Sequence, residues 1–445
     1  MSRSLTSGPV TRSMLLFALP MIAGNLLQQF YNIADTLIVG RTIGPDALAA
    51  VGASYTLMVF ITSVLLGLCM GSGILFSMLF GSGDEDGLKT SSILSFAMIG
   101  LLTVAIQTAA LLLLDPILRW MQIPADIYQM TREYLHVIFW GLLFTFLYNY
   151  FAAYLRAIGN SAVPLVFLGI STILNILLDL FLILKAGRGV AGAAWATVIA
   201  QAVSAVGMTL YTFLRVPQFR FERRHIRFDA GMSRRIFSLS LLTCVQQSVM
   251  NFGILMIQGL VNSFGVTVIA AFAAAVKIDS FAYMPVQDFG NAFSTFIAQN
   301  YGARDMQRIR QGLRSAIWTA LLFCIAISVP VFLFAPQLMC IFVDADQLEI
   351  ISVGVQYLRI EGSCYCGIGC LFLLYGLYRG LGKPEISVVL TVISLGVRVA
   401  LAYLLAPIPA IGLLGIWWAI PIGWFLADLT GLILYRRIRR KDLFE

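Results

Sequence analysis

Residues 26–40 read LLQQFYNIADTLIVG and residues 171–184 read STILNILLDLFLIL. Each run is apolar enough to lie within a bilayer, and each carries an aspartate in its interior, Asp35 and Asp179. A charged side chain at the centre of a span costs about 3 kcal/mol on insertion scales, so an ionisable residue there marks a functional site by default.

The surrounding composition settles the class. The chain has 445 residues, of which 59% are hydrophobic and 12% charged, with a mean hydropathy of +0.88. A soluble domain carries about 25% charge, so this is an all-α polytopic membrane protein. Twelve apolar segments reach spanning length, near 14–40, 48–79, 91–114, 130–156, 162–184, 190–214, 235–262, 268–300, 315–335, 350–378, 386–406 and 411–435. Each meets the about 20 residues that a bilayer requires. Those holding Pro20 and Pro285 are expected to bend. The first run exceeds a signal peptide's apolar region and lacks a small-residue cleavage site, so Met1 is expected to begin the mature chain.

Orientation follows from Lys and Arg. Placing both termini and the even-numbered loops on one side puts 22 of the 30 basic residues there. The positive-inside rule makes that side, and both termini, cytoplasmic. Topology thereby accounts for the net charge of +8, and no nucleic-acid partner is read from it. The basic runs RFERRHIR (220–227) and YRRIRRK (435–441) are expected to anchor at the membrane surface. Seven cysteines, an odd number, suggest no disulfide framework. Cys364, Cys366 and Cys370 lack an accompanying His and read as structural thiols rather than zinc ligands. His136 and His225 are too few and too far apart for a reactive constellation, so neither an enzyme nor a cofactor is expected.

The chain repeats. At an offset of 221, Gly44, Gly81 and Asp84 meet Gly265, Gly302 and Asp305; at 223, Tyr134, Arg156, Gly159 and Trp195 meet Tyr357, Arg379, Gly382 and Trp418. Two six-helix lobes follow, residues 1–214 and 235–445, joined by a basic cytoplasmic linker at 215–234. Because six is even, the halves are parallel repeats, an arrangement in which the substrate site lies between lobes that rock against each other. A transporter is the natural reading; no run resembles a channel's selectivity filter.

The repeat breaks at the polar residues. Asp35 maps onto Met256, Asn175 onto Arg398, Asp179 onto Ala402 and Thr197 onto Ile420. Helical rise places Asp35 and Asp179 at similar depth toward the outer leaflet, and Asn175 and Asp179, at i and i+4, share a face. Two carboxylates, an amide oxygen and a hydroxyl suit a hard cation such as sodium. They suit a proton equally, since two carboxyls in one dry site compete for ionisation.

Four stretches together resemble the multidrug and toxic compound extrusion (MATE) family, bacterial members especially. They are LPMIAGNLLQQFYNIADTLIVGRTIG (19–44), NILLD (175–179), PVQDFGNAFSTFIAQNYGARD (285–305), and the pair AYLRAIGN (153–160) and LYRGLGKPE (377–385). The resemblance implies a V-shaped bundle of two six-helix lobes in the bacterial inner membrane, expected to be monomeric, exporting amphipathic organic cations in exchange for protons or sodium. It implies ion coupling at Asp35, Asn175, Asp179 and Thr197, with Pro20 as the hinge of the first helix. A second family pattern, a coupling glutamate in the seventh helix, is missing from LLTCVQQSVMNFGILMIQG (241–259).

The C-terminal half holds Lys277, Asp279, Asp288, Glu361, Arg398 and Asp428 inside spans. Either these form a structural salt-bridge network, with Glu361 and Arg398 a possible cross-helix pair, or Lys277, Asp279, Glu361 and Arg398 line the cargo cavity. Phe30, Tyr31, Tyr148, Phe272 and Tyr283 are the candidate aromatic walls. The basic residues keep two alternatives open: export of a zwitterionic metabolite or amino acid, and flipping of a lipid-linked oligosaccharide.

Overall fold

A computed structural model describes residues 4–440, with side chains to residue 437. The expectations for Met1 and for the end of the basic run at 435–441 lie outside them. Lipid offers no hydrogen-bond partner, so apolar segments must satisfy their backbone internally, and the structure is helical throughout. The first half runs α1 (Val10–Thr42), α2 (Pro45–Ser82), α3 (Glu85–Leu112), a short α4 (Leu114–Trp120), α5 (Ala125–Trp140), α6 (Leu142–Ala157), α7 (Ala162–Asp179) and α8 (Gly189–Arg215). The second half repeats that order with α9 (Ala230–Asn262), α10 (Val266–Gly302), α11 (Met306–Leu333), a short α12 (Ala335–Met339), α13 (Leu348–Ser363), α14 (Tyr365–Gly380), α15 (Pro384–Leu405) and α16 (Leu413–Arg440).

Ten of these helices are each long and apolar enough to span, and the bent pairs α5/α6 and α13/α14 bring the number to twelve. Composition had the fourth and tenth spans continuous; they break by 46° and 53°. The first break falls at Gly141, where an added Cβ would lie 2.8 Å from Val198 Cγ2, so the glycine lets the break press against α8. The second falls at Cys364, at the repeat offset of 223.

Other paired residues do paired work. Gly44 and Gly265 precede α2 and α10 with φ of 122° and 95°, a conformation that side-chain-bearing residues avoid. Asp84 Oδ1 accepts the Gly87 N–H at 2.8 Å to cap α3, and Asp305 Oδ1 accepts that of Arg308 at 2.9 Å to cap α11.

The chain divides into two compact units. One comprises residues 4–5 and Leu19–Cys244; the other comprises Thr6–Ala18 and residues 245–440. The division in α1 falls two residues before Pro20, whose ring removes a backbone donor from the helix interior.

In the first unit, Phe76, Tyr150, Phe151, Tyr154 and Phe219 form an aromatic core. Here α2 and the start of α9 approach so closely that a Cβ on Gly71 would meet Leu239 O and Ser240 Cα at 2.4 Å. In the second unit, Phe272 stacks on Trp417 at 5.5 Å with Tyr357 edge-on to both. Arg308 ties the segment before α1 to α11, donating to Gly8 O and Ser7 O at 2.8 Å each.

The linker is packed rather than loose. Phe219 plugs into the first unit's core, and His225, 2% exposed, sits between Asp86 Oδ1 at 2.9 Å and the Glu222 N–H, which donates to Nδ1 at 2.9 Å. An imidazole that accepts at Nδ1 donates from Nε2, so the second bond runs from His225 to Asp86. Arg224 pairs with Glu222 at 2.9 Å and with Asp86 at 3.4 Å, so part of the basic run is engaged by protein acids.

Candidate ion-coupling site

Within the first unit, α1, α7 and α8 bring Asp35, Asn175, Asp179 and Thr197 together, as their spacing predicts. Their exposures are 9%, 2%, 0% and 7%. Helix α7 ends at Asp179 and continues as a π-turn, Leu180–Lys185, and such widened turns recur at functional sites.

The neighbours assign the Asn175 amide. Its Nδ2 donates to Asp179 Oδ2 at 2.9 Å, and its oxygen accepts from Thr197 N at 3.1 Å and Thr197 Oγ1 at 3.3 Å. With the single Thr197 hydroxyl proton so used, the contact of 3.2 Å between Tyr31 and Thr197 has the Tyr31 hydroxyl donating. The result is a directed chain in which Tyr31 donates to Thr197, Thr197 to Asn175, and Asn175 to Asp179. Every donor points toward the acids.

The Asp35 and Asp179 carboxyls lie close enough to act on each other directly. Two carboxyls in such proximity do not readily ionise together, so the pair is suited to sharing a proton. Their Oδ1 atoms have no hydrogen-bond partner among the described residues. A cation held by the same four residues would need the Asn175 amide to rotate and present its oxygen. Among the described residues, no group of three or more His, Cys, Asp or Glu side chains could hold a metal ion.

Two tyrosines complete the site. Tyr31, expected among the cargo contacts, belongs to the donor chain. Tyr134, a buried residue of α5, lies in electrostatic range of both aspartates. In the sequence it showed only as a repeat match to Tyr357, because nothing local ties a tyrosine of the fourth span to the first and fifth.

The other expected cavity residues take varied positions. Phe30 is exposed, and the Tyr148 hydroxyl donates to Pro164 O at 3.0 Å. Phe272 is in the second unit's core, and Tyr283 leans on Phe372 at 6.3 Å. Lys277 is exposed and places its ammonium 5.9 Å from the centre of the Phe342 ring.

Asp279 forms a second cluster, accepting from the hydroxyls of Tyr365 at 2.7 Å and Tyr357 at 3.4 Å with Glu361 beside it. The expected Glu361–Arg398 ion pair is not made. Glu361 Oε1 and Arg398 Nε have no hydrogen-bond partner among the described residues, and Glu361 lies beside Asp279.

Comparison with known proteins agrees with this architecture. The sequence signature of the MatE family matches residues 20–181 and 242–404. The probable multidrug resistance protein YoeA of Bacillus subtilis is 26% identical, the match covering 97% of this chain and 95% of that protein. YpnP of the same organism, also described as a probable multidrug resistance protein, is 27% identical over 87% of this chain and 86% of its own. A crystal structure of MATE in the bent conformation superposes with a TM-score of 0.92 at 25% identity, covering 99% of this chain and 97% of that one. The signature spans most of the chain, and on that ground the protein belongs to the MatE family and is a multi-pass membrane transporter.

Proposed function

We propose that this transporter is an antiporter of the bacterial inner membrane that exports amphipathic organic cations in exchange for protons, coupled through Asp35 and Asp179. The observation that carries the reading is the pairing of two buried carboxyls at the end of the Tyr31–Thr197–Asn175 donor chain. A buried carboxyl pair holds one proton readily, and the donors favour a negative charge once it leaves. Proton occupancy biases the carrier because the pair's surroundings differ between the two access states; without such a difference in affinity, binding would move nothing. Division of α1 beside Pro20 supports that proline as the point where the first helix repacks. The multidrug names of the relatives support the cargo class.

Ethidium efflux from proteoliposomes, under a proton gradient or a sodium gradient imposed separately, tests the reading with wild type and Asp35→Asn side by side. Proton-driven export that the variant loses is the expected result. Export driven by sodium alone would replace the proton with a cation held on a rotated Asn175 amide. Full export by Asp35→Asn would remove Asp35 from the coupling.

A second reading has its own observation. Arg398 Nε, buried and without a partner beside Asp279 and Glu361, suits a cargo carrying an anionic group as well as a cationic one, such as a zwitterionic metabolite. Failure of ethidium to move under either gradient, with folded protein, would favour it.

A further inference from the structure

Thr197 belongs to two features at once. It links Tyr31 to Asn175 in the donor chain of the acid site, and it also lines a cavity of about 30 Å³ inside the first unit, with Thr62 of α2, Thr145 of α6 and Gln201 of α8 among apolar walls. A water needs roughly 10–15 Å³ by this measure, so about two fit. Gln201 lies one turn beyond Thr197 toward the linker end of α8. Its Oε1 accepts the Thr145 hydroxyl at 2.9 Å, which leaves the two amide N–H donors for water.

Two further observations mark the cavity as wet. Ile138, Phe139, Leu142 and Thr145, on its wall, flank the break at Gly141. Broken backbone at membrane depth is tolerated where it is buried in protein or lines water. The repeat supplies the second. At the offset of 223, Thr145, Thr197 and Gln201 meet Ile368, Ile420 and Trp424, and at 221 Thr62 meets Tyr283, so the half without Asp35 and Asp179 replaces three of the four polar lining residues with largely apolar side chains. The Thr145, Thr197 and Gln201 part of the lining accompanies the acids, not the scaffold.

We infer that this cavity is the release chamber of the coupling ion: waters held by Thr145 and Gln201 receive the ion from the Asp35–Asp179 pair beside Thr197 and pass it toward the linker end of the first unit. The ion thus leaves through the interior of the unit. This rests on the proposed coupling role of the two aspartates. Thr145 and Gln201 are positioning residues, acting on the rate of release and not on the affinity of the pair.

The test uses Gln201→Leu and Thr145→Val in full-length protein in proteoliposomes, under whichever gradient drives wild type. Ethidium exchange is followed together with luminal release of the ion, and equilibrium ion uptake is titrated on the purified proteins. Each variant is expected to slow release about tenfold or more, as a barrier of desolvation would, with equilibrium uptake unchanged. Thr145→Ser, which keeps the hydroxyl, is expected to run at the wild-type rate. Wild-type release by both apolar variants would overturn the chamber, and so would a slowing matched by an equal loss of equilibrium uptake or shared by Thr145→Ser. Failure of the underlying reading has a different signature, full gradient-driven export by Asp35→Asn.

Discussion

Asn175 Nδ2 lies 2.9 Å from Asp179 Oδ2, one turn away on α7, while the amide oxygen faces Thr197 on α8. The amide is therefore the joint between the acid pair and its donors. Asn175→Leu keeps the bulk and removes all three amide bonds, leaving a buried carboxyl oxygen unsatisfied at a cost of about 1–3 kcal/mol. Gradient-driven ethidium efflux should fall by about fivefold or more, each 1.4 kcal/mol being tenfold in rate. Unchanged efflux from folded Asn175→Leu would separate the amide from coupling.

The second unit offers a stability counterpart. Tyr365 donates to Asp279 Oδ1 at 2.7 Å. Tyr365→Phe removes only that hydroxyl, and the stranded acceptor should lower stability by about 1–3 kcal/mol. Thermal unfolding in detergent reads the effect; an unshifted midpoint would mean that Asp279 takes another partner.

Glycine placement on α2 makes a contrast within one helix. Gly71→Ala drives a methyl into Leu239 O and Ser240 Cα at 2.4 Å, whereas Gly52→Ala meets nothing within 4 Å. Overpacking at Gly71 should cost about 1–3 kcal/mol, while Gly52→Ala should gain up to about 1 kcal/mol in helix propensity. Equal melting temperatures for the two variants would contradict the close approach of α2 and α9.

Asp115, outside the spans, accepts from Arg132 Nε at 2.7 Å and from the Tyr128 hydroxyl at 3.0 Å. The Arg132 bond, and then the tyrosine's, hold its carboxyl below the ordinary 3.8. A depressed folded-state value contributes stability above the unfolded value and loses it as pH falls through the folded one. The melting temperature should therefore drop below pH 3.8, by a small amount since the pair is exposed. Asp115→Asn should flatten that part of the profile, and an unchanged acid limb would assign it to other carboxyls.

Much of this was legible along the chain because hydropathy, helical phase and repetition are local properties. The offset of Asn175 and Asp179 alone puts them on one face, and the apolar runs around Asp35 and Asp179 announce the cost of burying them. Tyr31 and Phe272 were harder, since an aromatic in a span reads the same whether it faces cargo, a carboxylate or Trp417. The breaks at Gly141 and Cys364 were hidden as well: neither position carries a proline, and each bend answers to what packs against it, as Val198 does at Gly141.

The sequence by itself determined that the protein is a two-fold repeat of membrane helices in which Asp35 and Asp179 have no acidic counterpart at the matching positions, because burial in lipid constrains each segment independently of its neighbours. Only the tertiary structure decided that Asp35 reaches Asp179, that Tyr31 joins their donors, and that Glu361 lies beside Asp279 without pairing with Arg398. Those choices depend on distances between helices far apart in the chain, and hydrogen bonds discriminate among partners over fractions of an ångström.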